Sequence, residues 1–135
     1  MKTTSKPLRR VVDVIAWHGN KLVLVERLNF PGGLAFVGGK IEEGERPIAA
    51  AVREFYEETG MKLLNPRYWK TVSAKKRDPR FPTVDRVYTG KAEGIPKNEG
   101  GKTRVLLFTR EELLALPKER FAFDHFEILQ AFLKK

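Results

Sequence analysis

The chain has no cysteine among its 135 residues, which excludes disulfide stapling and thiolate metal sites. It also has no apolar run long enough to cross a bilayer as a helix, and no basic-then-apolar leader. The expectation is therefore a cytoplasmic protein with no membrane partner. Internal repeats and composition breaks are missing too, so residues 1–135 read as one domain, with 1–7 a polar, frayed lead. That length is enough for a core that needs no staples. Acid is in short supply, with 17 acidic against 26 basic residues and a net charge of +9. Such a balance suits anionic partners, either nucleic acid or phosphorylated small molecules. The charge is dispersed rather than gathered in a polybasic tail, which favours small phosphates.

The acid that is present is concentrated. Pro47 and Gly60 bracket a helical pattern, in the positions expected of a first and a just-past-last helical residue. Ile48, Ala51, Val52 and Phe55 recur at helical spacing as a core-facing stripe. Glu54 lies three residues before Glu57 and four before Glu58, so the three carboxylates can share one patch. Like charges so spaced cost roughly 0.2–0.5 kcal/mol per pair. Anions near a helix C-terminus cost roughly 0.3–1 kcal/mol each. An acidic surface turn partly neutralised by Arg53 is the plain explanation. The alternative is a bound divalent cation, for which hard oxygen ligands with an incomplete protein shell suit Mg²⁺, with Mn²⁺ as a substitute.

The spacing of Gly39, five residues, Glu45, seven residues, then Arg53-Glu54-Phe55-x-Glu57-Glu58-x-Gly60-Met61 resembles a complete Nudix box. No defining position departs from that signature. The resemblance implies an αβα sandwich with a mixed sheet, and a Mg²⁺-dependent phosphoanhydride hydrolase. It implies metal ligation by Glu54, Glu57, Glu58 and the carbonyl of Gly38. It makes Glu54 a candidate general base oriented by Arg53, with Glu45 shaping the metal site through hydrogen bonds. Family members often supply a further acid from the loop before the last strand. Here Glu99 is the candidate and Glu93 the reserve, against the plain reading of solvated loop acids.

The rest of the chain is read around this helix. Val11–Trp17 and Leu22–Glu26 form a β-hairpin about the turn His18-Gly19-Asn20. Leu34–Val37 is a short strand running into a Gly38-Gly39 loop, where glycine allows close approach and positive φ. Residues 62–66 form a short crossover; Tyr68–Ala74, Val84–Ala92 and Arg104–Phe108 are further strands, and Arg110–Leu116 is a short helix. Asp124 with Glu127 resembles a capping box opening a last helix to Leu133, with His125 a structural first-turn residue. One basic loop, Lys75–Pro82, is either a solvated connector or a phosphate clamp, since Arg forks match phosphate oxygens. Its Arg77-Asp78-Pro79-Arg80 and the later Phe121-Ala122-Phe123-Asp124-His125 resemble stretches of the ADP-ribose pyrophosphatase branch. That likeness makes Arg77 and Arg80 candidate contacts to phosphates or the terminal ribose, and Gly39, in the glycine pair at the box, is a third candidate substrate contact.

Element order excludes a doubly wound repeat and an all-β pattern, leaving an α/β (α+β) fold. The function implied is hydrolysis of a nucleoside diphosphate derivative, foremost ADP-ribose to AMP and ribose 5-phosphate. One alternative is a nucleoside triphosphate pyrophosphohydrolase, which Gly38-Gly39-Lys40-Ile41-Glu42 resembles. Another, of a different class, is a non-catalytic nucleotide sensor or nucleic-acid-binding module. The implied partner is a small-molecule nucleotide rather than nucleic acid, with a homodimer as an option because that branch often forms one.

Overall fold

The computed structural model describes residues 8–78, 81–98 and 102–135, with the side chains of 74–78 and 81 outside that description. Strand β1 (Arg9–His18) is the axis of the sheet. Its residues Val12, Asp13, Val14, Ile15 and Ala16 are all buried, as expected of a strand covered on both faces. Gly19-Asn20 turns the chain into β2 (Lys21–Arg27), pairing Trp17 with Leu22 and His18 with Lys21. The expected hairpin is therefore present, and the His18 Nε2 lies 2.8 Å from the Gly94 carbonyl at its tip.

Beyond β3 (Gly33–Ala35) and β4 (Val37–Lys40) comes helix α1 (Pro47–Thr59). Strands β5 (Lys62–Asp78), β6 (Phe81–Glu93) and β7 (Thr103–Thr109) follow. Helix α2 (Arg110–Ala115), a 3-10 turn (Lys118–Arg120) and α3 (His125–Leu133) end the chain. β1 runs parallel to β6 and antiparallel to β4 and β2; β2 also pairs with β3 and β7, and β5 with β6. One parallel pair among antiparallel ones makes the sheet mixed. Val12, Val14 and Ala16 face α1, where Ala50, Ala51 and Phe55 complete one core. Ile15 faces the opposite layer, packed with Ile128, Leu129 and Leu133 of α3. Helices thus cover both faces, the αβα arrangement expected. No described helix is long and apolar enough to cross a membrane.

Several local expectations need correction. Ile48 and Val52 are not core; both are about 40% exposed, while Ala50 and Thr59 are buried instead. The helix approaches the sheet through small residues, and Thr59 becomes compatible with burial by donating its hydroxyl to the Phe55 carbonyl at 2.6 Å. Residues 62–66 are no crossover. They open β5, which absorbs Pro66 at a bulge between Leu64 and Arg67, where Asn65 has φ 52°. Nor is Lys75–Pro82 wholly a connector, because β5 runs on to Asp78, which pairs with Phe81 at the start of β6. The capping box at Asp124 does not form. Asp124 lacks the extended N-cap conformation (φ −103°, ψ 22°) and makes no side-chain cap bond, and Glu127 pairs with Lys118 instead. A capping box forms at α2, between Thr109 and Glu112.

Candidate active site

Helix α1 starts at Pro47 and stops where Gly60, at φ 72°, turns its amide back to the Tyr56 carbonyl. Between these ends the sequence sets Arg53, Glu54, Glu57 and Glu58 over β4. Gly38 and Gly39 are not in a loop. They are strand residues of β4, opposite Asp13 and Val12, and neither has positive φ. What they require is close approach. A Cβ on Gly39 would collide with the Glu54 carboxylate, and one on Gly38 with the Val12 carbonyl and Asp13 Oδ1. Glu54 therefore lies flat on the backbone of β4, and Glu58 accepts the Gly38 amide at 3.0 Å.

Arg53 organises the rest. Its guanidinium grips Glu45 with two bonds, Nε to Oε2 at 2.7 Å and Nη2 to Oε1 at 2.9 Å. Nη1 reaches Glu54 Oε2 at 3.0 Å and Glu57 Oε1 at 3.1 Å, and Nη2 reaches the Lys40 carbonyl at 3.0 Å. Glu45 also accepts the Glu42 amide. The Arg53 bonds and that amide hold the Glu45 carboxyl down at about 2. Glu54 and Glu58 behave oppositely. Desolvation raises the Glu54 carboxyl, with Arg53 pulling against it. Burial likewise pushes Glu58 up to about 7, against the Gly38 amide, while Glu54 and Asp13 add to the rise and Arg27 opposes it. Glu57 is 57% exposed at its side chain. Two carboxylates are thus held half-buried beyond what one arginine neutralises. Hard oxygen donors in that condition fit a divalent cation, whose charge would relieve both. Glu54, Glu57 and Glu58, with the backbone of Gly38, could hold it.

The glutamates are not the tightest acidic group. Among the described residues, that is Asp13, Asp85 and His125, all buried, with one ligand atom from each within 4.8 Å of the others. None was singled out as a ligand from sequence, although Asp13 is the one charge inside the apolar run Val11–Trp17. His125 Nδ1 accepts the Phe36 amide at 2.9 Å, so Nε2 carries the proton and donates to Asp13 Oδ2 at 3.0 Å. With both ring nitrogens engaged, His125 is a structural tie between α3, the residue that joins β3 to β4, and β1, in line with the structural role expected of it. Between the two groups opens a cavity of about 240 Å³, bordered by Gly38, Gly39 and Glu58 on one side and by Asp13, Arg27 and Phe123 on the other.

The other candidates are less gathered. Glu93 is exposed at the end of β6, paired with Lys62, and does not line this cavity. Arg80 and Glu99 lie outside the described residues, as does the side chain of Arg77.

The NUDIX domain model matches residues 7–132. Over 125 residues the chain is 34% identical to an ADP-ribose pyrophosphatase of Methanocaldococcus jannaschii, covering 91% of this chain and 72% of that protein. A shorter match, 71% identical over 73 residues, is to an RNA pyrophosphohydrolase of Agrobacterium fabrum, covering 47% of this chain and 43% of that one. Among solved structures, the fold is similar to a bifunctional NMN adenylyltransferase/ADP ribose pyrophosphatase of Francisella tularensis complexed with AMP and a Mn ion. The TM-score is 0.81 at 20% identity, over 98% of this chain and 43% of that one. This chain thus spans under half the length of the Agrobacterium and Francisella proteins. With the domain model matched almost end to end, and a relative above 30% identity along most of its length, the chain belongs to the Nudix family and is one of its hydrolases.

Proposed function

We propose that the protein hydrolyses the diphosphate bond of a nucleoside diphosphate derivative with Mg²⁺, ADP-ribose giving AMP and ribose 5-phosphate. The observation that carries the substrate class is the Methanocaldococcus ADP-ribose pyrophosphatase, similar along 91% of this chain. Glu54, Glu57, Glu58 and the Gly38 carbonyl would hold the ion, which would supply neutralisation of phosphate charge and a more nucleophilic water near neutral pH. Arg53 holds Glu54 by Oε2, and Glu54 Oε1 takes the proton of the attacking water. The water oxygen bonds to phosphorus as the bridging P–O bond breaks, its electron pair leaving on the departing phosphate. Glu45 keeps Arg53 in register through its two-bond grip. Arg77, Arg80 and Gly39 are assigned to phosphate and ribose contacts, and Glu99 stands as the alternative base.

A second reading has its own support. The Agrobacterium relative bears the name of a pyrophosphohydrolase of RNA, and pyrophosphate release from triphosphates follows the Gly38–Glu42 resemblance. A substrate panel separates the two: ADP-ribose, a flavin or dinucleotide diphosphate, dGTP and 8-oxo-dGTP, each with Mg²⁺ or Mn²⁺. AMP and ribose 5-phosphate from ADP-ribose, abolished in Glu57→Gln, is the expected result. Pyrophosphate from triphosphates alone would replace the first reading with the second. No turnover of any substrate would overturn both.

A further inference from the structure

The cavity beside the glutamates borders the first half of β1. A second opening, with no lining residue in common, borders the last half. Helix α3 covers Ile15 and Val87 on its side of the sheet and stops at Leu133. Over the ends of β1 and β6 it leaves an open groove of about 630 Å³. The parallel register sets Ile15 beside Thr89 and Trp17 beside Lys91, and alternation puts all four on this face, as the groove floor. Phe132 of α3 forms one wall. The other is the β5 bulge, where Asn65 and Pro66 stand opposite Gly90, between the pairs Leu64 with Lys91 and Arg67 with Thr89. Arg67 and Lys91 are exposed cations, and no carboxylate is among the described residues that line the groove. Past Phe132 the strip continues. Its ring lies 6.4 Å from Trp17 and 5.7 Å from Trp69, and Lys70 and Lys135 stand over Trp69 at 4.8 and 5.0 Å.

Positive charge that reads as dispersed along the chain, at residues 67, 70, 91 and 135, is therefore gathered by the fold around one row of aromatic rings. Seating the end of α3 accounts for the rings. It does not account for cations set about an open trough without an acid among its lining residues, since like charges so placed repel one another until an anion joins them. Half-buried Trp17 adds an aromatic surface within the same trough. A basic groove that follows a phosphate backbone, with an aromatic side chain for the bases, is the general means of holding a single strand without reading its sequence. We propose that this groove binds single-stranded nucleic acid, with a base on Trp17, phosphates on Arg67 and Lys91, and the strand leading on towards Lys70 and Lys135. A trough open to solvent suits a strand passing through it better than a mononucleotide. The site is separate from the glutamates and does not depend on which phosphoanhydride they cleave.

The test is fluorescence anisotropy of an end-labelled oligouridylate of about 12 nucleotides, titrated with the full chain in EDTA so that no metal sits at the glutamates. Wild type should bind it, less tightly as salt rises. Lys91→Gln and Arg67→Gln change exposed side chains and should leave the fold intact by circular dichroism. Each should flatten the slope of log affinity against log salt by about 0.7. Trp17→Ala should weaken binding at least about fivefold at fixed salt without altering the slope, and Trp17→Phe should keep most of the affinity. Lys102→Gln is the control. It is exposed beside Thr103, which pairs with Arg27 at the end of β2 away from the hairpin tip, and it should leave the slope as it was. No binding by wild type at low salt would overturn the groove. So would equal losses in Lys102→Gln and Lys91→Gln, because the net charge of +9 would then attract the strand wherever it lay. Trp17→Ala binding as tightly as wild type would do the same. The readout needs neither metal nor turnover, so failure of the substrate panel would leave this result standing.

Discussion

Two acidic groups flank β4, and they are built on opposite principles. On the α1 side, Glu45, Glu54 and Glu57 share one guanidinium, and Glu58 leans on the Gly38 amide. On the α3 side, Asp13 and His125 close on each other and on Phe36, at no more than 7% exposure of either side chain. In the tighter group the imidazole is satisfied by Asp13 and the Phe36 amide, and neither of its nitrogens is left for a ligand. The looser group keeps negative charge that the fold alone does not balance. Compactness therefore marks the structural node, and residual imbalance marks the reactive one.

The sharpest way to break that distinction is to remove His125. In His125→Ala the Asp13 carboxylate loses its partner and the Phe36 amide its acceptor, both buried. Such losses cost about 3–5 kcal/mol, so urea unfolding should show a large drop in stability, with turnover per folded molecule at low temperature within tenfold of wild type. Glu58→Gln should do the reverse. The amide oxygen can still accept from Gly38 while a charge that burial opposes is removed. Hydrolysis should fall by more than the roughly 10–100-fold that orienting partners cost. The metal-free protein should melt no lower than wild type at pH 8. A stable, inactive His125→Ala, or an unstable, active Glu58→Gln, would reverse the assignment of the two groups.

The pH dependence of stability sharpens the same contrast. Glu58 is pushed up to about 7 in the fold from 4.5, so the folded chain binds the proton more tightly than the unfolded one. Stability from this group is full below about pH 4.5 and is lost as pH rises through 7. The loss is on the order of 2–3 kcal/mol, allowing for partial screening. Glu45, held at about 2, contributes stability present above its unfolded value and lost as pH falls from 4.5 towards 2. Metal-free protein should therefore melt highest near pH 5 and progressively lower towards pH 8. Mg²⁺ should restore more stability at pH 8 than at pH 5, because it binds the ionised carboxylates. A metal-free melting temperature that rises from pH 5 to 8 would refute this.

The same contrast explains what could be read before the fold was known. The α1 group is local. Arg53 to Glu58 lie within two turns of one helix, and Pro47 and Gly60 mark its ends by backbone chemistry that any context preserves. The α3 group joins residues 13, 85 and 125, so only the closed sheet brings it together. Periodicity misled where size mattered more than hydrophobicity. Ile48 and Val52 are larger and more apolar than Ala50, yet only alanine lets α1 approach the sheet closely. Gly38 and Gly39 were legible as a close-approach pair but not as a strand, because what they approach comes from β1 and α1. The run Phe121–His125 was legible as a family-like stretch but not as a turn; the αL conformation at Phe123 exists because its neighbours are anchored elsewhere.

The smallest effect tests whether Arg53 orients the box glutamates or merely neutralises them. Arg53→Lys keeps the charge, but a single ammonium cannot grip Glu45 with two parallel bonds while also reaching Glu54, Glu57 and the Lys40 carbonyl. If neutralisation were all, lysine would serve, and kcat would hold. If the fork sets where Glu54 points, kcat should fall about 10-fold, at the lower end of what such partners cost, with KM little changed. Stability should shift by no more than about 1 kcal/mol, because these pairs are partly solvated. Steady-state kinetics with urea titration of the same preparations separates the two. An unaltered kcat would leave the β4 glycines, rather than Arg53, to position the carboxylates.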